Sequence, residues 1–307
     1  MSEALFRSAN EMDIRSMTST FWPLLLDLPH RCFMGVKKLA LSQAIFDSPD
    51  PFITLIALLP SLEQLELNFV VFRSGNTESK GISQPKKLRK LKLIMGAAGD
   101  ILWLFQPCKT IEEFVAEVNK EQALSYVNSF LASSLAVKNG TLAHCTLRPN
   151  IPRSQRDLRK EIDFFLDPGP HFTIEGELSN LLVIFNNFGP RSPSHSPSKL
   201  TRIILHDVNA AVYRGRNRLH VFPSFDGWLA KDAFFQSLEE VWLQVSETFR
   251  KEVLIMAGWN ESAMTVDEGS IPHVVMQDRI REVEELLPRC KRRGILKIKA
   301  VYMTGSF

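Results

Sequence analysis

The chain has 307 residues, 45% hydrophobic and 23% charged, a composition that excludes a disordered polypeptide and a length that allows a large core. Its 37 Lys and Arg against 34 Asp and Glu leave a net charge of +3, so no overall pull toward nucleic acid or an acidic membrane is expected. No apolar run approaches the roughly 20 residues of a membrane span, and Cys32, Cys108, Cys145 and Cys290 form no C-x-x-C pair suggesting a disulfide framework or zinc site.

Met1 to Asn10 lacks the basic start and continuous apolar core of a secretory signal, so an intracellular location, cytoplasmic or nuclear, is expected. Residues 1–31 read as an N-terminal cap, with Phe21 to Leu28 as a helix shielding the core of the first repeat. Three phrases then recur in phase: Val36-x-x-Leu39-x-Leu41, Leu62-x-x-Leu65-x-Leu67 and Leu88-x-x-Leu91-x-Leu93, each 26 residues after the last. In a short strand the fourth and sixth residues of such a phrase point the same way, into a core, and those between point out. A returning helix over Pro51 to Leu59, with Asp50 as N-cap, fits between the first two strands. Gly96 to Asp100 reads as a turn capping Ile101 to Phe105, because no lysine is placed there to hold a phosphate.

Farther along the spacing loosens. Ile111-x-x-Phe114, Leu142-x-x-Cys145-x-Leu147, Leu200-x-x-Ile203-x-Leu205 and Leu238-x-x-Val241-x-Leu243 are further strands, and Ile295 to Val301 is the last. Helices fit at Leu124/Val127/Leu131, Leu158/Ile162/Phe165, Leu178/Leu181/Phe185 and Ile280/Val283/Leu287. Residues 186–199, rich in Pro, Ser and Asn, read as an exposed loop, and 209–236 as an insertion whose Phe222, Phe225 and Trp228 pack a loop onto the repeats.

This alternation predicts an α/β fold, an irregular leucine-rich-repeat-like solenoid over residues 1–307, with a curved parallel sheet and helices on its convex side. An ordinary α/β domain with a parallel sheet would show the same alternation. No phosphate-binding glycine loop, H-E-x-x-H or G-x-S-x-G motif occurs. No catalytic residue, metal ligand or cofactor is therefore assigned. The candidate site is the outward strand face: Lys38, Glu66, Lys92, Glu113, His144, Arg202 and Trp242. Across adjacent strands Glu66 is expected to meet Lys92, and Glu63 to lie between Lys37 and Arg89. Trp242 stands out, because an outward tryptophan either anchors a partner or lies beneath a loop.

Phrases such as Leu59-Pro60-Ser61-Leu62-Glu63-Gln64-Leu65-Glu66-Leu67 and Leu238-Glu239-Glu240-Val241-Trp242-Leu243 resemble the degenerate leucine-rich repeats of fungal F-box proteins. The resemblance covers residues 30–307. It implies a repeat region that selects a protein target, with a Skp-type adaptor as a possible partner and ubiquitin transfer performed by other subunits. An F-box opens with a Leu-Pro-x-Glu-like phrase; here Leu28-Pro29-His30-Arg31 lacks the acidic residue. The functional expectation is a non-catalytic protein-binding solenoid. An α/β enzyme whose site the sequence does not display stays open as an alternative. So does nucleic-acid binding through Arg214 to Arg218 and Lys291 to Arg293, which the near-neutral charge disfavours.

Overall fold

The computed structural model describes residues 3–8, 10–29, 32–73, 85–94, 97–119, 121–150, 171–177, 181, 200–206, 221–231, 235–260, 262 and 265–304. The expected helix at Leu158 to Phe165, loop 186–199 and the Arg214 to Arg218 run lie outside these residues, as does most of the Leu178 to Phe185 helix. The chain is mixed α/β and divides into two compact units, Met1–Phe172 with Val183–Phe188, and Thr173–Leu182 with Gly189–Phe307.

In the first unit β1 (Glu3–Ser8) runs antiparallel to β2 (Glu11–Arg15), which is followed by a short helix, α1 (Trp22–Leu26). Then come β3 (Lys38–Ser42), β4 (Ile45–Phe46), α2 (Pro49–Ala57), β5 (Gln64–Asn68), β6 (Val71–Phe72) and β7 (Lys90–Ile94). A 3-10 helix, Ala97–Phe105, leads to β8 (Glu113–Val118), and α3 (Glu121–Ser133) and α4 (Leu135–Lys138) lead to β9 (His144–Pro149). Strands β2, β3, β5, β7, β8 and β9 stand side by side in chain order, every pair parallel.

Each strand is entered in the same way. The carbonyls of Asn10, Lys37, Glu63, Arg89 and Glu112 each accept two successive N–H groups from the next strand's start, at 2.7–3.1 Å. The exits from the first strands also match. Ser16, Gln43 and Phe69 adopt left-handed backbone (φ 53°, 55° and 53°), and their N–H groups donate to Ser42, Asn68 and Ile94 of the next strand. Left-handed conformation is unfavourable for a residue with a Cβ; here the inter-strand hydrogen bonds hold it in place. The corner sends the chain into a second parallel ladder, β4 against β6. Behind it Trp22, Phe46 and Phe72 stack at centroid spacings of 4.0 and 5.2 Å, with Phe52 edge-on to the two phenylalanines.

Burial falls on one face of the strands. Leu39, Leu41, Leu65, Leu67, Phe114 and Cys145 are no more than 2% exposed, whereas the residues between them are half-buried or exposed. The helices and the 3-10 segment return between the strands on that apolar side, as the anchoring Phe52, Leu55, Ile101, Val127 and Phe130 show by their full burial.

Several expectations are corrected. The first 31 residues contain β2, whose Met12 and Ile14 are in register with Leu39 and Leu41, so the strand series starts ahead of Val36. The first returning helix begins at Pro49 with Ser48 as N-cap, placing Asp50 in its first turn. The sheet is not curled as expected.

In the second unit β10 (His171–Glu177, of which Thr173 onward belongs to this unit) precedes β11 (Leu200–His206), α5 (Val221–Lys231) and β12 (Glu240–Phe249). Helices α6 (Lys251–Met256), α7 (Ile271–Glu284) and α8 (Pro288–Arg293) lead to β13 (Leu296–Thr304). Strands β11, β12 and β13 are parallel. Within residues 209–236, expected as an insertion laid over the repeats, the described part is helix α5 together with Phe235 and Gln236. Its Phe222, Phe225 and Leu229, at helical spacing, are fully buried.

Helices α5 and α8 cap one another. Asp226, 1% exposed, accepts the N–H groups of Arg289 and Cys290 in the first turn of α8, both at 2.9 Å. Those are donors that a helix start leaves without an intrahelical partner. In return Arg293 donates to the carbonyls of Leu229, Gln236 and Leu238 at 2.9–3.2 Å, at and beyond the end of α5. Gly294, at φ 77°, supplies the left-handed residue that closes α8. Lys291 pairs with Glu284 at 2.5 Å, so two of the three cations in the Lys291 to Arg293 run serve the structure.

Two substitutions test this packing. Leu65→Ala should lower the unfolding free energy by about 2–5 kcal/mol through the cavity it leaves, and denaturant titration measures it. Asp226→Ala should cost about 1–3 kcal/mol because two buried donors lose their acceptor; an unchanged denaturation midpoint would show that the brace contributes nothing.

Candidate binding face

Strand register decides which outward residues are neighbours. In the first unit Lys38, Gln64, Lys90, Glu113 and His144 are successive cross-strand partners. Ala40, Glu66, Lys92, Val115 and Thr146 form the next row. Thus Lys38, Glu113 and His144 share one row, and Glu66 and Lys92 share the other. All five are half-buried or exposed.

Charges on this face are paired. Lys92 Nζ lies 3.0 Å from Glu66 Oε1, and Lys90 Nζ 2.8 Å from Glu113 Oε2. The Glu113 carboxylate raises the Lys90 pKa through its hydrogen bond and its charge. At the strand entries Lys37 meets Glu63 at 3.3 Å. Arg89, expected to share Glu63, sits 3.8 Å from Glu112 instead. The edge order Lys37, Glu63, Arg89, Glu112 gives Arg89 an acid on either side, and the next strand's acid takes it. Such solvated pairs stabilise little but leave the face nearly neutral.

The second unit's outward face is organised around one carboxylate. Glu240 Oε2 accepts hydrogen bonds from Arg202 Nε at 2.7 Å and from Trp242 Nε1 at 2.9 Å. The indole of Trp242 is half-buried, oriented by that bond, and stands in register with Ile204 on β11 and Lys297 on β13. The Trp242 hydrogen bond, with help from Arg202 and Lys297, holds the Glu240 carboxyl below the usual carboxylate range.

A second row crosses β10, β11 and β12. His206 Nε2 lies 2.8 Å from Glu175 Oε1, and its Nδ1 lies 2.6 Å from Gln244 Oε1. Sequence reasoning missed this row, having followed each phrase only to its fifth position. Continuing the alternation by two residues, from Ile204 to His206 and from Trp242 to Gln244, would have found two of its three members.

Cys108, Cys145 and Cys290 are free and buried. Burial pushes the Cys108 thiol up to about 11, and it raises Cys145 and Cys290 farther, with Asp226 adding to the effect at Cys290. These thiols stay protonated at neutral pH and are poor nucleophiles. Among the described residues no cluster of three His, Cys, Asp or Glu could hold a metal ion, and no helix is long and apolar enough to cross a membrane.

Because Glu240 titrates below its unfolded value, its interactions stabilise the fold at neutral pH, and that contribution is lost as pH falls through the folded pKa. Trp242→Phe removes the indole donor, so the Glu240 pKa should move up toward the ordinary carboxylate value in an NMR titration. An unmoved pKa would show that the indole bond does not hold the carboxylate. No protein-family model and no curated protein matches the chain.

Proposed function

We propose that the chain is a non-catalytic leucine-rich-repeat-like solenoid that binds another protein through outward strand side chains, with Trp242 as the anchor. The observation that carries this reading is the contrast between the two strand faces. One buries aliphatic and aromatic residues completely, and the other presents ordered polar side chains around a half-buried tryptophan.

A tryptophan fixed at its N–H and open at its ring suits a partner contact, because little side-chain freedom is left to lose on binding. Arg202 and Glu240 beside it supply a polar rim, and the Glu175–His206–Gln244 row supplies further hydrogen-bonding groups. The resemblance to fungal F-box proteins extends the proposal to target recognition for a Skp/cullin ubiquitin ligase, with a Skp-type adaptor as a second partner.

Affinity purification with mass spectrometry tests both levels. The wild-type chain should recover a reproducible protein partner, and Trp242→Ala should reduce that recovery at least tenfold with little loss of melting temperature. Recovery of a Skp-type adaptor and cullin would support the ligase role. Equal recovery by wild type and variant would exclude Trp242 as the anchor, and a large fall in melting temperature would mark it as a packing residue.

A further inference from the structure

We propose that the edge of β13 that is unpaired among the described residues takes an extended segment of another polypeptide whose side chains alternate between acidic and apolar. Among the described residues β13 pairs with β12 alone, along its nine residues Leu296–Thr304. In a parallel ladder, alternate residues direct their N–H and C=O groups to opposite sides. The carbonyl of Ile295 accepts from Val241 on β12, so Leu296, Ile298 and Ala300 present their backbone groups on the side away from β12.

Both faces of this strand are unfinished. On the core side, Leu296, Ile298 and Ala300 stand opposite Val241, Leu243 and Val245. The β12 residues are at most 1% exposed, whereas their β13 partners are only half-buried. Apolar side chains on an added strand would complete that burial.

On the outward side, Lys297 and Lys299 are exposed, and their ladder neighbours Trp242 and Gln244 carry no charge. Three other outward cations meet a carboxylate one strand away, Lys92 with Glu66, Lys90 with Glu113 and Arg202 with Glu240. Acids two residues apart on an added strand would face Lys297 and Lys299 in the same way.

Lysines on an exposed strand commonly discourage edge-to-edge pairing. Here they oppose a second copy of the same lysine-bearing edge, which sets like charges side by side, while favouring an acidic segment. This docking mode adds a strand through the backbone and does not depend on the Trp242 face.

The test uses the whole chain with two capped nine-residue peptides, one alternating Glu and Val and the other Lys and Val. The Glu/Val peptide should bind in fluorescence anisotropy and slow amide exchange at Leu296, Ile298 and Ala300 at least tenfold, and the Lys/Val peptide should do neither. Exchanging Lys297 and Lys299 for Glu should reverse that preference in a chain whose circular dichroism remains that of the wild type. Three results would overturn the proposal: no binding of the Glu/Val peptide, protection confined to other residues, or a dimer in ultracentrifugation that already protects these amides.

Discussion

The first unit depends on one repeated backbone contact, in which a carbonyl at the end of one entry segment accepts two N–H groups from the start of the next strand. Repetition from Asn10 to Glu112 starts every strand at the same position of its phrase. A slip of one residue would turn each strand's leucines toward solvent and its lysines and glutamates toward the core. The fully buried Leu39, Leu65 and Leu91 and the accessible Lys38, Glu66 and Lys92 are thus two results of one register. The left-handed corners at Ser16, Gln43 and Phe69 then carry the chain into the second ladder and its aromatic stack.

Where the phrases lie farther apart, side chains take over part of this work. Arg202 and Glu240 are 38 residues apart and Asp226 and Cys290 are 64 apart, yet each pair is in hydrogen-bond contact. The longer connections form helices of their own, and helix ends bring donors and acceptors that need partners. Asp226 and Arg293 satisfy them reciprocally, tying α5 to α8 while β11, β12 and β13 keep their parallel register.

The same alternation shapes both outward faces, with different results. In the first unit Lys90 and Lys92 are each matched by a carboxylate on the adjacent strand, leaving a solvated and nearly neutral surface. In the second unit a carboxylate is shared between an arginine and a tryptophan, which orients an aromatic ring beside a row of polar groups. On β13, Lys297 and Lys299 have neutral ladder neighbours, although the charge of Lys297 still reaches Glu240. The functional proposals rest on these departures from the neutral pattern.

What the sequence determined by itself was the set of strands whose apolar residues recur every second position at constant spacing. Period-two alternation is local, so Leu39, Leu65 and Leu91 were legible as core and Lys38, Glu66, Lys92, Arg202 and Trp242 as outward residues. Strand β2 was not legible, because Met12 and Ile14 are too few to make a phrase and gain meaning only beside Leu39 and Leu41. Nor was helix α5, read as a covering loop because its aromatic spacing was overlooked beside the basic run before it. The Glu175–His206–Gln244 row, the choice of Glu112 by Arg89 and the bond between Asp226 and α8 were decided by the tertiary structure. Each joins residues far apart in the chain, whose distance is set by the folding of everything between them and leaves no periodic trace in either segment.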